Sequence, residues 1–192
     1  MRHLIGALLM ASLGVTATAG VASGQEQSGR EEFTAFAVST GGPRSAAVAT
    51  PLDIVIERWS TEAERQRLFE ALKKGQDSML DALRDLRRVG FIRAPGNLGY
   101  DLHYAHQMPG EDGGRRIFIA TDRPVSFWEA VNRPRKFDYP FTFIELRVNR
   151  DGEGEGKLSL ATRVISSSDG RMLHLENYDT QPVQLNQLKK KR

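Results

Sequence analysis

Phe141-Thr-Phe-Ile-Glu-Leu-Arg-Val-Asn149 and Lys157-Leu-Ser-Leu-Ala-Thr-Arg-Val-Ile165 flank Arg150-Asp-Gly-Glu-Gly-Glu-Gly156. Both outer runs alternate. Thr142, Ile144, Leu146 and Val148 share one face; Phe141, Phe143, Glu145 and Arg147 share the other. A period of two is the mark of a strand with one buried face. The three glycines between them supply positive φ at little cost, as a hairpin loop requires. Setting Val148 opposite Leu158 places Leu146 beside Leu160 and Ile144 beside Thr162. A slip of one residue would bury Glu145, Arg147 and Arg163, so the pattern fixes the register. Asn149, Asp151, Glu153 and Gly154 imitate the start of an EF-hand loop. Its twelfth position is Leu160 rather than a bidentate glutamate, and no metal is assigned.

Strands extend outward from this hairpin. Arg116-Ile-Phe-Ile-Ala-Thr121 precedes it, and Met172-Leu-His-Leu-Glu-Asn177 follows the turn Ser166-Ser-Ser-Asp-Gly170. Phe33-Thr-Ala-Phe-Ala-Val38, Leu52-Asp-Ile-Val-Ile-Glu-Arg-Trp59, Val89-Gly-Phe-Ile-Arg93, Tyr100-Asp-Leu-His-Tyr-Ala-His-Gln107 and residues 181–188 read as further strands. Ala94-Pro-Gly-Asn97 has the order of a type II turn. Two helices interrupt the series. Thr61 and Glu64 form a capping box, Leu68, Phe69 and Leu72 an apolar stripe, and Gly75 a stop. Asp77 then suits the cap of a second helix with Met79, Leu80, Leu83 and Leu86 on one side and Arg84, Arg87 and Arg88 on the other. The expected fold is α+β: a mostly antiparallel, strongly curved sheet of seven to nine strands, sandwich or barrel, with an inserted helical pair. Leu52, Ile54, Ile56, Leu68, Leu72, Leu83, Leu86, Ile117, Ile119, Ile144, Leu146, Val148, Leu158, Leu160 and Val164 are the expected core.

The chain has 192 residues and no cysteine. That excludes disulfides, thiolate metal sites, a lipidated cysteine and cysteine catalysis. Met1-Arg-His3, an apolar run at 4–15 and Ala17-Thr-Ala19 have the order of a signal peptide, cleaved after Ala19 or Gly24. The apolar run is about 12 residues against the ~20 of a membrane span. The expected organisation is a signal peptide at 1–24, a disordered segment at 25–32, one domain at 33–188 and a basic tail at 189–192. The mature protein is then exported, to the periplasm or beyond, with no transmembrane span. Its 27 basic residues, 26 without Arg2, face 24 acidic ones, both signs interspersed. That is not the footprint of a nucleic-acid binder.

Candidate chemistry is sparse. The sequence has no G-x-S-x-G elbow, H-E-x-x-H, Walker loop or dinucleotide fingerprint, and nothing calls for a cofactor. In a strand, Asp101 and His103 share a face, and His174 and Glu176 share another strand's face. A hydrolase-like cluster of Asp101, His103, His174 and Glu176 would follow if the strands meet. Residues 122–139 offer the richer surface. They interleave Phe127, Trp128, Phe137 and Tyr139 with Arg123, Arg133, Arg135 and Lys136, the residue types that anchor ligand and partner surfaces. The reading that follows is a non-enzymatic exported module binding a small ligand or protein through this loop. The alternatives are the hydrolase and a structural component of the cell envelope. A curved sheet can also hold an apolar ligand inside.

Several stretches carry a resemblance. They are Asp53-Ile-Val-Ile-Glu-Arg-Trp-Ser60, Arg88-Val-Gly-Phe-Ile-Arg93, Gly99-Tyr-Asp-Leu-His-Tyr104, Ala120-Thr-Asp-Arg-Pro124, Phe127-Trp-Glu-Ala130, Asn132-Arg-Pro-Arg135 and Leu175-Glu-Asn-Tyr-Asp179. Together they resemble an uncharacterised family of exported, signal-peptide-bearing bacterial proteins. The resemblance implies an exported single domain and transfers no activity, ligand or site residue.

Overall fold

A computed structural model describes residues 29–38, 49–110, 113–123, 125, 141–166, 173–177 and 182–192, with backbone alone for 160–166 and 173–177. Its elements are β1 (Glu31–Val38), β2 (Ala49–Ile56), α1 (Glu62–Lys74), α2 (Gln76–Arg84), β3 (Gly90–Arg93), β4 (Tyr100–Leu102), β5 (Tyr104–Pro109), β6 (Arg115–Thr121), β7 (Phe141–Val148), β8 (Glu153–Ser166), β9 (Leu173–Asn177) and β10 (Val183–Lys190). Nine strands form one antiparallel path, β4-β3-β2-β1-β10-β8-β7-β6-β5, and β9 pairs with the far half of β8. The two ends of the path, β4 and β5, are consecutive in the chain and separated only by His103. The His103 amide donates to the Ala120 carbonyl of β6 at 3.0 Å. One bent segment therefore pairs with β3 on one side and β6 on the other, and the sheet is nearly closed into a barrel. With two helices among the described residues, the fold is sheet-dominated, and the helical share of an α+β fold is small.

The barrel interior is filled. Phe33, Leu52, Ile54, Ile56, Ile92, Leu102, Ile117, Ile119, Ile144 and Leu146 each expose under 2% of their surface. Such burial is expected of a small barrel packed by its own residues. The expected core is found buried throughout, except Leu160 and Val164, whose side chains lie outside the described set. The helices pack on the outer face of β5–β7. Leu68, Leu72, Met79, Leu83 and Leu86 close over Ala120 and Phe141, with Tyr104 and Phe143 at the margin. Phe141 points away from the barrel interior yet is fully buried, because the helical pair covers that face.

Three sequence expectations are corrected. The register of the β7–β8 hairpin pairs Val148 with Gly154, Leu146 with Gly156 and Ile144 with Leu158, not Val148 with Leu158. Gly154 and Gly156 belong to the strand, and the turn is only Asn149–Gly152. Asn149 N–H donates to Glu153 O at 2.8 Å, its side chain accepts from the Asp151 and Glu153 amides, and Gly152 takes φ 82°. Asn149 supplies the local hydrogen bonds that tighten the turn, a signal that the glycine spacing conceals. The second correction concerns α2, which starts at Gln76 from an N-cap at Gly75, with no side-chain cap from Asp77. The third concerns the ends. β1 begins at Glu31 rather than Phe33, and β10 spans Val183–Lys190 rather than 181–188. The α1 capping box forms as expected.

Candidate functional site

The loop at 122–139 leaves the barrel between β6 and β7, and its described base is tightly built. Thr121 and Thr142 face each other across the sheet and are fully buried. Alternation places both where an apolar residue would sit. Each hydroxyl instead bonds nearby backbone. Thr142 Oγ1 donates to the Arg123 carbonyl at 3.0 Å and accepts from the Val125 amide at 3.2 Å. Thr121 Oγ1 donates to the Asp101 carbonyl at 2.8 Å. The two chain segments entering and leaving the loop are thereby stapled together at the rim.

Beside this staple lies a charged cluster. Asp122 is 8% exposed and accepts from Arg123 Nε at 3.1 Å and Arg84 Nε at 3.4 Å. His103 Nε2 faces the same carboxylate at 3.6 Å, and His103 Nδ1 faces the Leu86 carbonyl at 3.3 Å. Burial alone would raise the Asp122 pKa. The Arg123 guanidinium, with His103 and Arg84 adding to it, outweighs that and holds the carboxyl below its usual range. The same contact holds the Arg123 guanidinium more firmly protonated.

Asp101 and His103 do not share a face as the strand pattern suggested. His103 occupies the break between β4 and β5, so the alternation stops there and Asp101 and His103 turn different ways. Asp101 is exposed and accepts from Arg88 Nη1 at 3.1 Å, while Arg88 also holds Glu57 at 2.7 Å. His103 turns to Asp122 instead. His174 and Glu176 lie on β9, which is paired to β8 at Ile165 and Arg163, and their side chains are outside the described residues. Both ring nitrogens of His103 face protein acceptors. A general base needs a nitrogen aimed at a substrate proton, and the described residues do not present one here. They also contain no group of three or more metal-ligating side chains.

Of the proposed ligand-binding residues, Arg123 is at the described base of the loop. Phe127, Trp128, Arg133, Arg135, Lys136 and Tyr139 lie outside the described residues. What sequence reading missed is the Asp122–His103 contact and the two threonines. Their only signal is a polar residue at a core position at the end of each strand, which is weak until the ends are known to meet.

A second polar assembly caps the other end of β6. Arg115 points inward and donates to Glu31 Oε1 at 3.0 Å and to Gln107 Oε1 at 2.6 Å, with its guanidinium 5.9 Å from the Phe33 ring. Lys190 Nζ reaches Glu31 at 3.4 Å. Burial pushes the Glu31 pKa up, but Arg115 and Lys190 together bring it below the usual carboxylate value. This network plugs the mouth of the barrel over Phe33.

No protein-family model, curated protein or solved structure matches this chain. The site therefore stands on its own geometry.

Proposed function

We propose that this is a non-enzymatic binding module, exported from a bacterial cell, that holds a small ligand or protein partner through the 122–139 loop. The observation that carries the reading is the Thr142 staple. It ties both ends of an aromatic and cationic segment to the rim of a filled barrel, next to Arg84, Arg123 and Asp122. A stiff scaffold bearing an anchored loop is the usual arrangement for recognition, because the scaffold limits the entropy lost on binding. Trp128 and Arg135 are the expected anchors, by stacking and by charge. The filled interior supports a surface site over an apolar cargo held inside.

The hydrolase-like alternative has less support, since Asp101 is engaged by Arg88 and His103 by Asp122 and Leu86. The envelope-structure alternative would call for a broad exposed apolar face. The large hydrophobics exposed among the described residues are Phe36 on β1, Leu98 between β3 and β4, and Met108 on β5.

The test is native mass spectrometry of the mature protein isolated from the periplasmic or secreted fraction, beside a Trp128→Ala/Arg135→Ala variant. A molecule or partner retained by the natural chain and lost from the variant supports the proposal. A bare chain, or equal retention by both, overturns it.

A further inference from the structure

The end of the barrel remote from the loop carries a second feature. β6 runs from Arg115 to Thr121, so the two ends of that strand are about 20 Å apart at ~3.3 Å per residue. At the Arg115 end, three chain segments frame a cavity of about 370 Å³. They are the β5–β6 turn, closed by a Gly110 N–H to Gly114 O bond of 2.9 Å; the Asn149–Gly152 turn; and the end of β10, where Lys190 N–H donates to Gly152 O at 2.7 Å. Arg115, Arg150 and Lys190 all line it. The carboxylate beside them is Glu31, and it is already bound to Arg115 and Lys190. Three cations thus line the cavity, and Glu31 is paired with two of them.

Arg150 differs from several other arginines of the structure. Arg84, Arg88, Arg93, Arg116 and Arg123 each have a carboxylate within 4 Å. Arg150 is exposed and has none among the described residues, and its guanidinium is braced on one side. It lies against the backbone of Gly113, where a Cβ would collide with Nη2, Nε and Cζ. Gly113 also takes φ 72°, a conformation that favours glycine. The turn therefore holds the guanidinium over the cavity and adds glycine backbone bare of side chains. A guanidinium fork with two neighbouring cations and bare turn backbone matches the geometry of a planar or tetrahedral oxyanion.

We propose that this cavity binds an oxyanion, the phosphate or carboxylate group of a small molecule, with Arg150 as the primary contact and Arg115 and Lys190 as flanking charges. The site is independent of the loop at the other end of the barrel, and it stands or falls separately from the binding-module reading.

The experiment is an amide NMR titration of the mature chain with inorganic phosphate and, separately, acetate, at ionic strength held constant with sodium chloride. The probes are the Gly113, Gly114 and Gly152 resonances. Saturable shifts are expected. Arg150→Ala should weaken binding about tenfold or more, the loss of one hydrogen bond to a charged group. Arg87→Ala, which removes another exposed arginine without a described carboxylate partner, should leave affinity unchanged. Response to phosphate alone assigns a phosphoryl ligand, and response to both assigns oxyanions generally; either supports the site. Non-saturable shifts, equal affinity in Arg150→Ala, or equal loss in Arg87→Ala overturns it. Glu111 and Asp112 of the same turn lie outside the described residues. If binding appears only in Glu111→Gln/Asp112→Asn, the turn neutralises its own cations and the proposal also fails.

Discussion

Replacing Gly154 by alanine separates two descriptions of the central hairpin. In the structure Gly154 sits in β8 opposite Val148. A Cβ there would collide with the Arg147 carbonyl oxygen, and would lie 2.9 Å from that carbonyl carbon and 3.3 Å from Val148 Cα. The obstacle is backbone, which cannot rotate aside as a side-chain end can. Alanine gains roughly 0.5–1 kcal/mol from its smaller unfolded-state entropy. Against this, forcing a methyl into an occupied space costs about 1–3 kcal/mol, at the upper end when backbone must move. Opening the strands also weakens one or two ladder hydrogen bonds, at about 1 kcal/mol each. The net expectation is a loss of about 2–3 kcal/mol, or roughly 5–10 °C in Tm for a domain of this size. Urea unfolding followed by tryptophan fluorescence measures it, with the slope unchanged. Gly99→Ala is the control. A Cβ there meets ordinary contacts at 3.5–3.7 Å, and its effect should stay within about 0.5 kcal/mol. If Gly154→Ala is as mild as the control, residues 150–156 behave as a loop. The alternation-based register would then be correct and the strand assignment refuted.

Two further predictions concern the polar ends of the barrel. Thr142→Val keeps the shape but strands the Arg123 carbonyl and the Val125 amide. It should cost about 2 kcal/mol and speed proteolysis between residues 123 and 141; unchanged stability and cleavage would remove the staple from the account. The folded pKa values of Glu31 and Asp122 both lie below their ordinary values of 4.5 and 3.8. Their stabilisation is therefore present above the unfolded pKa and lost as pH falls through the folded one. The urea midpoint should decline from about pH 5 downward, and Glu31→Gln should flatten that decline; parallel profiles for the two proteins would contradict it.

Much of the fold was legible in the residues because it rests on local pattern. The period-two runs gave the strands, the Thr61–Glu64 box gave the start of α1, and the buried set follows the alternation almost everywhere. The errors occur where pattern is silent. Asn149 decides the turn through side-chain bonds to two amides, and the glycines that looked like loop are strand residues at a close backbone approach. Asp101 and His103 were placed on one face by a rule that fails at a strand break, and the break exists only because the sheet must bend there to close.

The candidate sites divide the same way. Sequence by itself determined which residues carry charge and aromatic surface, that no thiol chemistry is possible, and that the strands outnumber the helices. Tertiary structure alone decided that Asp122 meets His103, that Thr142 closes the base of the loop, and that Arg115, Arg150 and Lys190 converge on one cavity. Those partners come from separate strands and turns. Side-chain charge can be read along a chain, but which charges neutralise each other depends on distances that only the closed barrel sets.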